Sequence, residues 1–197
     1  MNDALLQGAL VRLAAHNPET DAETIAAWSR DSEFQHLLDS DAPRPWTARA
    51  VKADTNEALG EEKPREQLFP FVIRALADDQ LLGFTDLKID YWSQRNAWIG
   101  IGIGPRAFWG KGYGTDAMRV LMRFCFTELN LARLTLSVFA YNERAQRSYL
   151  KAGFQVEGRQ RERLRRGNQR YDIIFMGILR DEWQSREGQA QLPAGSV

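Results

Sequence analysis

A glycine-rich turn is the first stretch of this sequence whose residue types and spacing could do chemistry. The segment FWGKGYGTDAM, residues 108–118, brings Gly110, Gly112 and Gly114 together with Lys111. It follows the alternating run AWIGIGIG and precedes an apolar stripe with helical spacing. A strand, a glycine turn and a helix start expose backbone N–H groups beside the positive end of the helix dipole. This arrangement predicts an anion site, with phosphate as the expected ligand.

Spacing separates the phosphate-binding designs that could use such a turn. A nucleoside-triphosphate loop needs two glycines with four residues between them, followed by Lys-Ser/Thr. Here Gly104 lies six positions before Gly110, and Gly112 follows Lys111 in place of the hydroxyl residue. A dinucleotide-binding fold would use residues 112–117 as GxGxxA. The next strand, RLTLSVF, ends without the acidic residue that this fold requires. The first design therefore fails and the second is disfavoured.

The third design is the coenzyme A loop of the GNAT acetyltransferase superfamily, which the sequence resembles. The segment WGKGYG at residues 109–114 is similar to the loop signature Gln/Arg-x-x-Gly-x-Gly/Ala, except that Trp109 replaces Gln/Arg. In this replacement the chain resembles the branch of the superfamily that includes ribosomal-protein N-acetyltransferases. NERAQRSYLKAGF, residues 142–154, resembles the Asn-x-x-Ala-x-x-x-Tyr-x-Lys-x-Gly-Phe segment of the same enzymes. Residues 157–183 resemble their closing hairpin, so the likeness spans roughly residues 10–183.

The resemblance implies acetyl transfer from acetyl-coenzyme A to an amine in one ternary complex, without an acyl-enzyme. The backbone of residues 110–115 would hold the pyrophosphate, and the strand at 99–103 would pair with the pantetheine arm. Tyr149 corresponds to the tyrosine that protonates the departing thiolate in many members. The cofactor-binding residues expected on this basis are Ile101, Ile103, Trp109, Gly110, Lys111, Gly112, Tyr113, Gly114, Thr115 and Asn142.

Several of these residues also have plain structural explanations. Lys111 could be a solvated loop residue, Asn142 could simply cap the helix that follows it, and Tyr149 could belong to the core. One face of the strand at 99–103 carries only glycines, so it could admit the cofactor or accept a tightly packed helix.

The sequence does not assign the general base. Related sequences often place a glutamate just before the Ile-Gly-Ile strand, where this chain has Trp98. Asp86, Glu33 and a water chain all stay open as bases, and Trp98 could line the acceptor pocket or pack in the core. The identity of the acceptor is also open, because its pocket would draw on the polar stretch at 42–63.

Hydrophobic periodicity predicts the elements that must position these residues. Strands are expected near residues 10–13, 68–76, 81–91, 97–104, 133–139, 154–164 and 169–179; helices are expected near 21–29, with Asp21 as its cap, and near 47–59, 115–129 and 142–153. Hairpins at both ends and a strand-helix-strand-helix unit between them predict an α+β domain. The resemblance specifies a three-layer α/β/α GNAT-like fold around a mixed, mostly antiparallel sheet.

Length and composition bound the remaining possibilities. The chain has 197 residues, which predicts a single domain over residues 1–185 and a frayed tail over 186–197. The formal net charge of +0 disfavours nucleic acid as a partner, and no apolar run approaches the roughly 18 residues that span a bilayer. A cytoplasmic location is expected. His16 and His36 lack metal-ligand spacing and Cys125 reads as a packed helix residue, so no metal site is predicted.

The arginines of residues 159–166 alternate along a predicted hairpin, which is typical of a solvated face. The adenosine 3′-phosphate, an acidic peptide or RNA are alternatives for this run.

Taken together, the motifs predict an acetyl-coenzyme A-dependent N-acetyltransferase that acts directly on a primary amine, either a protein N-terminus or a small molecule. An acyl-coenzyme A-binding sensor or scaffold with little catalysis is the alternative, because no carboxylate stands at position 98. The oligomeric state is left open, with a homodimer as one expectation.

Overall fold

The computed structural model describes residues 5–59 and 67–191. The strands in these residues are β1 (Val11–Ala14), β2 (Leu68–Ala75), β3 (Leu81–Tyr91), β4 (Asn96–Ile103), β5 (Arg133–Phe139), β6 (Gln155–Arg166) and β7 (Gln169–Leu179). The helices are α1 (Pro18–Trp28), α2 (Ser32–Leu38), α3 (Ala48–Leu59), α4 (Tyr113–Thr127), α5 (Glu143–Ala152) and α6 (Arg180–Gln191).

The strands form one sheet in the order β1-β2-β3-β4-β5-β7-β6. Only the β4–β5 pair is parallel, and the other neighbouring pairs are antiparallel. The predicted mixed, mostly antiparallel sheet is confirmed. The hairpins β2–β3 and β6–β7 and the strand-helix-strand-helix unit β4-α4-β5-α5 are also confirmed.

Successive side chains of each strand point to opposite faces of the sheet, so a separate hydrophobic core forms on each face. Val72 and Phe84 pack with α1, α2 and α3 in one cluster, whereas Ile73 and Leu87 pack with α4 and α5 in the other. Trp183 of α6 packs against Phe126 on this second side, with ring centroids 5.2 Å apart and the ring planes tilted by 32°. The result is the predicted three-layer α/β/α arrangement.

The first two helices differ from the sequence prediction. Asn17, and not Asp21, caps α1: its side chain accepts the Glu19 N–H at 3.0 Å, while Asp21 accepts the Asn17 N–H at 3.0 Å. Helix α1 therefore begins at Pro18. Proline is favoured at the first position of a helix because it has no N–H to leave unpaired. Helix α2 was not predicted at all, since seven residues are too few for periodicity to reveal.

The end of the chain contains one further helix. Helix α6 continues to Gln191, so residues 187–191 are helical where the sequence predicts a frayed tail. Residues 192–197, and Gly60 after α3, lie outside the described residues. The domain boundary at 185 stays a prediction.

The sheet opens between its two central strands. Strands β4 and β5 pair only from Asn96–Trp98 to Arg133–Thr135, and no later residue of either strand is paired across this gap. Along β4, Ile99 to Ile103 keep their antiparallel partners on β3. One edge of β4 is therefore free in the middle of the sheet.

Candidate active site

A cavity of about 680 Å³ lies at this opening. Its walls come from β4 and β5, from the glycine turn, from α5 and from α2. The predicted site residues that line it are Ile101, Ile103, Trp109, Gly110, Gly112, Gly114, Thr115, Asn142 and Tyr149. Lys111 and Tyr113 lie outside the lining; Lys111 is exposed, and Tyr113 packs edge-on against Phe108 with ring centroids 5.4 Å apart.

The glycine turn presents free backbone donors to the cavity. Gly110 and Gly112 have φ angles of +74° and +93°, which side chains rarely adopt. Gly112 is the N-cap of α4 and no side chain caps this helix. Among the described residues, no acceptor receives the N–H groups of residues 110–115. Unpaired N–H groups at the start of a helix suit the pyrophosphate of coenzyme A.

Contacts on either side hold the start of α4 in place. The Asp116 carboxylate accepts the N–H groups of Leu10 at 2.7 Å and Val11 at 3.0 Å, which joins the helix to β1. The Thr115 hydroxyl lies 2.7 Å from the Ser148 hydroxyl, which joins the helix to α5. The start of α4 is therefore held by β1 on one side and by α5 on the other.

Trp109 stands where the loop signature has Gln/Arg. Its indole N–H donates to the Ile103 carbonyl at 2.7 Å, so it ties the turn to the end of β4. The Arg144 guanidinium lies over the Trp109 ring, 3.8 Å from the centroid, and Arg106 lies 5.6 Å from it. Burial lowers the pKa of Arg144, an effect that Glu33 and Tyr149 oppose.

The cationic side of the cavity was missed in the sequence. Arg144, Arg147 and Lys151 of α5 all line it. Their spacing of three and four residues puts them on one face of a helix, together with Ser148. That spacing was the available signal, and it would have pointed to cations for the phosphate groups.

Tyr149 lies on the same helix and points into the core side of the cavity. The residue is 9% exposed, and burial raises the pKa of its phenol to about 12 although Arg144 opposes the shift. Its hydroxyl has no hydrogen-bond partner among the described residues. The phenol therefore keeps its proton at neutral pH and is free to donate it to a ligand.

Asn142 takes its predicted structural position. Its side chain accepts the Ala145 N–H at 3.2 Å and so caps α5, while its amide donates to the Leu37 carbonyl at 3.4 Å. Because it also lines the cavity, capping and ligand contact are compatible.

Helix α2 closes the cavity on the other face of the sheet, with Phe34, Leu37 and Leu38 in the lining. At its first turn, the capping residue Asp31 forms a bidentate pair with Arg106 at 2.5 and 2.6 Å. This pairing lowers the pKa of Asp31 to about 2.

The opposite end of α2 is held by donors from elsewhere in the fold. Tyr141 donates its hydroxyl to the His36 carbonyl, and Arg166 of β6 donates to the carbonyls of Asp39 and Ser40. The last carbonyls of α2 and the segment after it are thereby satisfied, so this wall of the cavity is anchored at both ends.

The structure separates the candidates for the general base. Trp98 is outside the cavity lining and packs edge-on against Phe175, with ring centroids 6.1 Å apart. Glu33 pairs with Arg106 at 2.5 Å and is also outside the lining. Asp86 lines the cavity, and burial raises its pKa.

Two kinds of feature are absent from the described part of the chain. Within it, no group of three or more histidine, cysteine, aspartate or glutamate side chains could hold a metal ion. No helix there is long and apolar enough to span a membrane.

The family model described as an acetyltransferase (GNAT) domain matches residues 11–155. The chain belongs to the GNAT acetyltransferase family. Its relatives include Bacillus subtilis YnaD, an N-acetyltransferase without further characterisation, at 27% identity over 163 residues, which are 83% of this chain and 90% of YnaD. Spermidine N(1)-acetyltransferase of Escherichia coli K12 is 32% identical over 132 residues, 65% of this chain and 69% of that protein.

Another GNAT relative bears on the ribosomal branch. Bacillus subtilis YdaF, provisionally named a ribosomal N-acetyltransferase, is 31% identical over 112 residues, 57% of this chain and 61% of YdaF. Among solved structures, spermidine N-acetyltransferase from Vibrio cholerae in complex with CoA and spermine superposes with a TM-score of 0.76 at 21% identity, covering 88% of this chain and 98% of that one. At that identity the likeness shows a shared GNAT fold.

The chain is thus an N-acetyltransferase of a family that uses acetyl-coenzyme A, and the resemblance seen in its motifs is confirmed.

Proposed function

We propose that this GNAT enzyme transfers the acetyl group of acetyl-coenzyme A directly to a primary amine, with Tyr149 as the acid that protonates the departing thiolate. One observation carries the proposal: the parting of β4 and β5 opens a cavity that runs from the unpaired N–H groups of the glycine turn to the Tyr149 phenol. The anion site at one wall of the cavity would hold the pyrophosphate of coenzyme A, and the phenol at another wall would protonate its departing thiolate.

The cavity offers distinct surfaces for the parts of acetyl-coenzyme A. The N–H groups of residues 110–115 and the cations Arg144, Arg147 and Lys151 suit the pyrophosphate and the 3′-phosphate. The free edge of β4 at 101–103 suits the amide groups of the pantetheine arm, which would pair with it as an added strand. A β4 backbone N–H would then face the thioester oxygen and stabilise the tetrahedral intermediate.

Direct transfer is favoured because the only cysteine is a poor acyl carrier. Cys125 is 0% exposed on α4, it does not line the cavity, and burial raises the pKa of its thiol. A protonated thiol away from the ligand cannot take the acetyl group at a useful rate.

Purified protein with acetyl-coenzyme A and a panel of primary amines tests the function. The panel holds a peptide with a free N-terminus, spermidine and 2-phenylethylamine. We expect thiol release coupled to an amide product, with no acetyl group retained on the protein by mass spectrometry. Binding of acetyl-coenzyme A without an amide product on any panel member would favour the acyl-coenzyme A-binding module instead. The cytoplasmic location and the homodimer stay predictions.

A further inference from the structure

Asp86 occupies the face of the sheet opposite to Tyr149. It is the register partner of Gly100 across the β3–β4 pair, and it shares its face with Phe84, which packs among the α1–α3 helices. Tyr149 belongs to the core on the α4–α5 side. The two residues therefore reach the cavity from opposite faces, with the opening between β4 and β5 separating them.

The missing side chain at Gly100 makes room for this carboxylate. A Cβ atom at Gly100 would lie 2.5 Å from Asp86 Oδ1, which is closer than the two atoms can approach without movement. The glycine-only face of β4 thus has a local explanation: at Gly102 it accepts Leu38 of α2 and Phe84, and at Gly100 it accepts Asp86.

Asp86 has no partner to neutralise it. Apart from its own backbone N–H, no donor or cation among the described residues bonds to its side chain. An unpaired, largely desolvated carboxylate is costly, and burial raises its pKa accordingly. Such a group at a cavity wall is typical of a binding or catalytic site.

None of the described charged groups around Asp86 pairs with it, so its carboxylate is available to bind an ammonium group. Arg144, Arg147 and Lys151 approach the cavity from α5, on the side of the glycine turn. Lys88 continues the Asp86 face of β3 but is exposed, and the adjoining walls of α2 and β5 contribute Phe34, Leu38 and Ser137. Glu33 is already paired with Arg106.

Building on the proposed function, we propose that Asp86 binds the ammonium group of the acceptor and takes up its first proton. The carboxylate becomes a carboxylic acid, and the neutral amine attacks the thioester carbonyl, forming the C–N bond. The C–S bond then breaks, the thiolate takes the Tyr149 proton, and the second nitrogen proton leaves to solvent while Tyr149 is reprotonated. Asp86 finally releases its own proton, so one proton is produced for each ammonium acetylated.

The lining also indicates the class of acceptor. Asp86 is the only carboxylate among the described residues that line the cavity, and Phe34, Leu38 and Phe84 line it on the same side of the sheet. One carboxylate in an apolar wall pairs with one ammonium group on an apolar body. A chain of several ammonium groups would leave the others desolvated without partners. The acceptor is therefore a primary monoamine with a hydrophobic substituent.

The test compares Asp86→Asn with wild type, using 2-phenylethylamine and spermidine as probes at saturating acetyl-coenzyme A. Asparagine keeps the shape and removes the base. We expect kcat/KM for 2-phenylethylamine to fall about 100-fold near neutral pH, while the Kd of acetyl-coenzyme A is unchanged. Asp90→Asn, on the same strand and outside the lining, is the matched control and should leave kcat/KM unchanged.

The pH profile distinguishes a base from a purely structural role. Wild type should rise through the pKa of Asp86 and level off below the pKa of the amine, whereas Asp86→Asn should climb until the amine itself loses its proton. Identical profiles and rates in the two proteins would overturn the role of Asp86 while leaving the proposed function intact. A kcat/KM for spermidine above that for 2-phenylethylamine would overturn the acceptor class. No amide product from wild type with any amine would reject the proposed function, and this inference with it.

Discussion

The Arg144 guanidinium lies 3.8 Å above the centre of the Trp109 ring, so a cation from α5 covers the residue that replaces Gln/Arg in the coenzyme A loop. The loop signature lacks its polar first residue in this chain, and a side chain 35 positions later brings a guanidinium to that residue. The stacked plane fixes the cation without a carboxylate partner, which leaves its charge available to phosphate.

Arg144→Ala should weaken acetyl-coenzyme A binding about tenfold, or about 1.4 kcal/mol, because a partly desolvated cation is lost from the cavity wall. Arg144→Lys should fall between the two, since it keeps the charge but not the planar stack. Calorimetry measures both affinities. Arg119→Ala, on the exposed face of α4, serves as the control. Wild-type affinity in Arg144→Ala would mean that Arg144 only packs on Trp109.

Gly112→Val should weaken acetyl-coenzyme A binding at least tenfold. Its φ of +93° strains any branched residue, and the new side chain would stand at the N-terminus of α4 beside the free N–H groups. Gly167→Val is the matched control, because Gly167 also has a positive φ, of +56°, but lies in the β6–β7 turn. Both variants should lose stability, and only the first should lose affinity. Equal affinities would remove the phosphate-binding role of the turn.

Tyr149→Phe should lower kcat about 100-fold, since the ring and its packing on Phe154 remain while the proton donor is lost. Affinity for acetyl-coenzyme A should barely change. A phenol pKa of about 12 also means that this residue imposes no decline in rate between pH 6 and pH 10. Single-turnover kinetics measure the step, and Tyr91→Phe, at an exposed position, is the control. Unchanged turnover would show that Tyr149 packs in the core and is not the acid.

His16 should make the fold less stable in mild acid. Thr55 donates its hydroxyl proton to the Val51 carbonyl, so His16 Nδ1 is the donor in the 3.0 Å contact with Thr55, and the buried Nε2 atom has no partner. Burial lowers the pKa of His16 below 6.5. The unfolded chain then binds a proton at a higher pH than the folded chain, so stability is lost as the pH falls below 6.5.

Melting temperatures of wild type and His16→Gln between pH 7.5 and pH 5 measure this effect. The wild-type melting temperature should fall more steeply with acid than that of the variant. His36→Gln, which changes the histidine of α2, is the comparison variant. Parallel curves for wild type and His16→Gln would show that protonation of His16 does not couple to folding.

The sequence was informative wherever function depends on neighbours along the chain. The alternation around Ile101 predicted β4, the glycines of 110–114 predicted the turn before α4, and Asn142 with Gly153 predicted both ends of α5. These signals are local, because caps, turns and strand periods are set by residues only a few positions apart.

The parts that the sequence could not supply depend on distant partners. Helix α2 is held by Arg106, 75 positions from Asp31, and by Arg166, 127 positions from Asp39. Asp86 stands out only once the strand register puts it over Gly100. Neither relation leaves a periodic pattern, so the wall of the cavity, and the choice of Asp86 over Glu33 as its carboxylate, depended on the fold.

The short contact between β4 and β5 divides the sheet into two ribbons that meet over three residue pairs. Residues of both ribbons also belong to the hydrophobic core that packs against α4 and α5. A molecule lying along the open edge of β4 would act as a missing strand and raise the free energy of unfolding by RT ln(1 + [L]/Kd). The folded lifetime of this protein is therefore expected to follow the supply of its acetyl donor, so that starvation for acetyl-coenzyme A would lower its abundance as well as its activity.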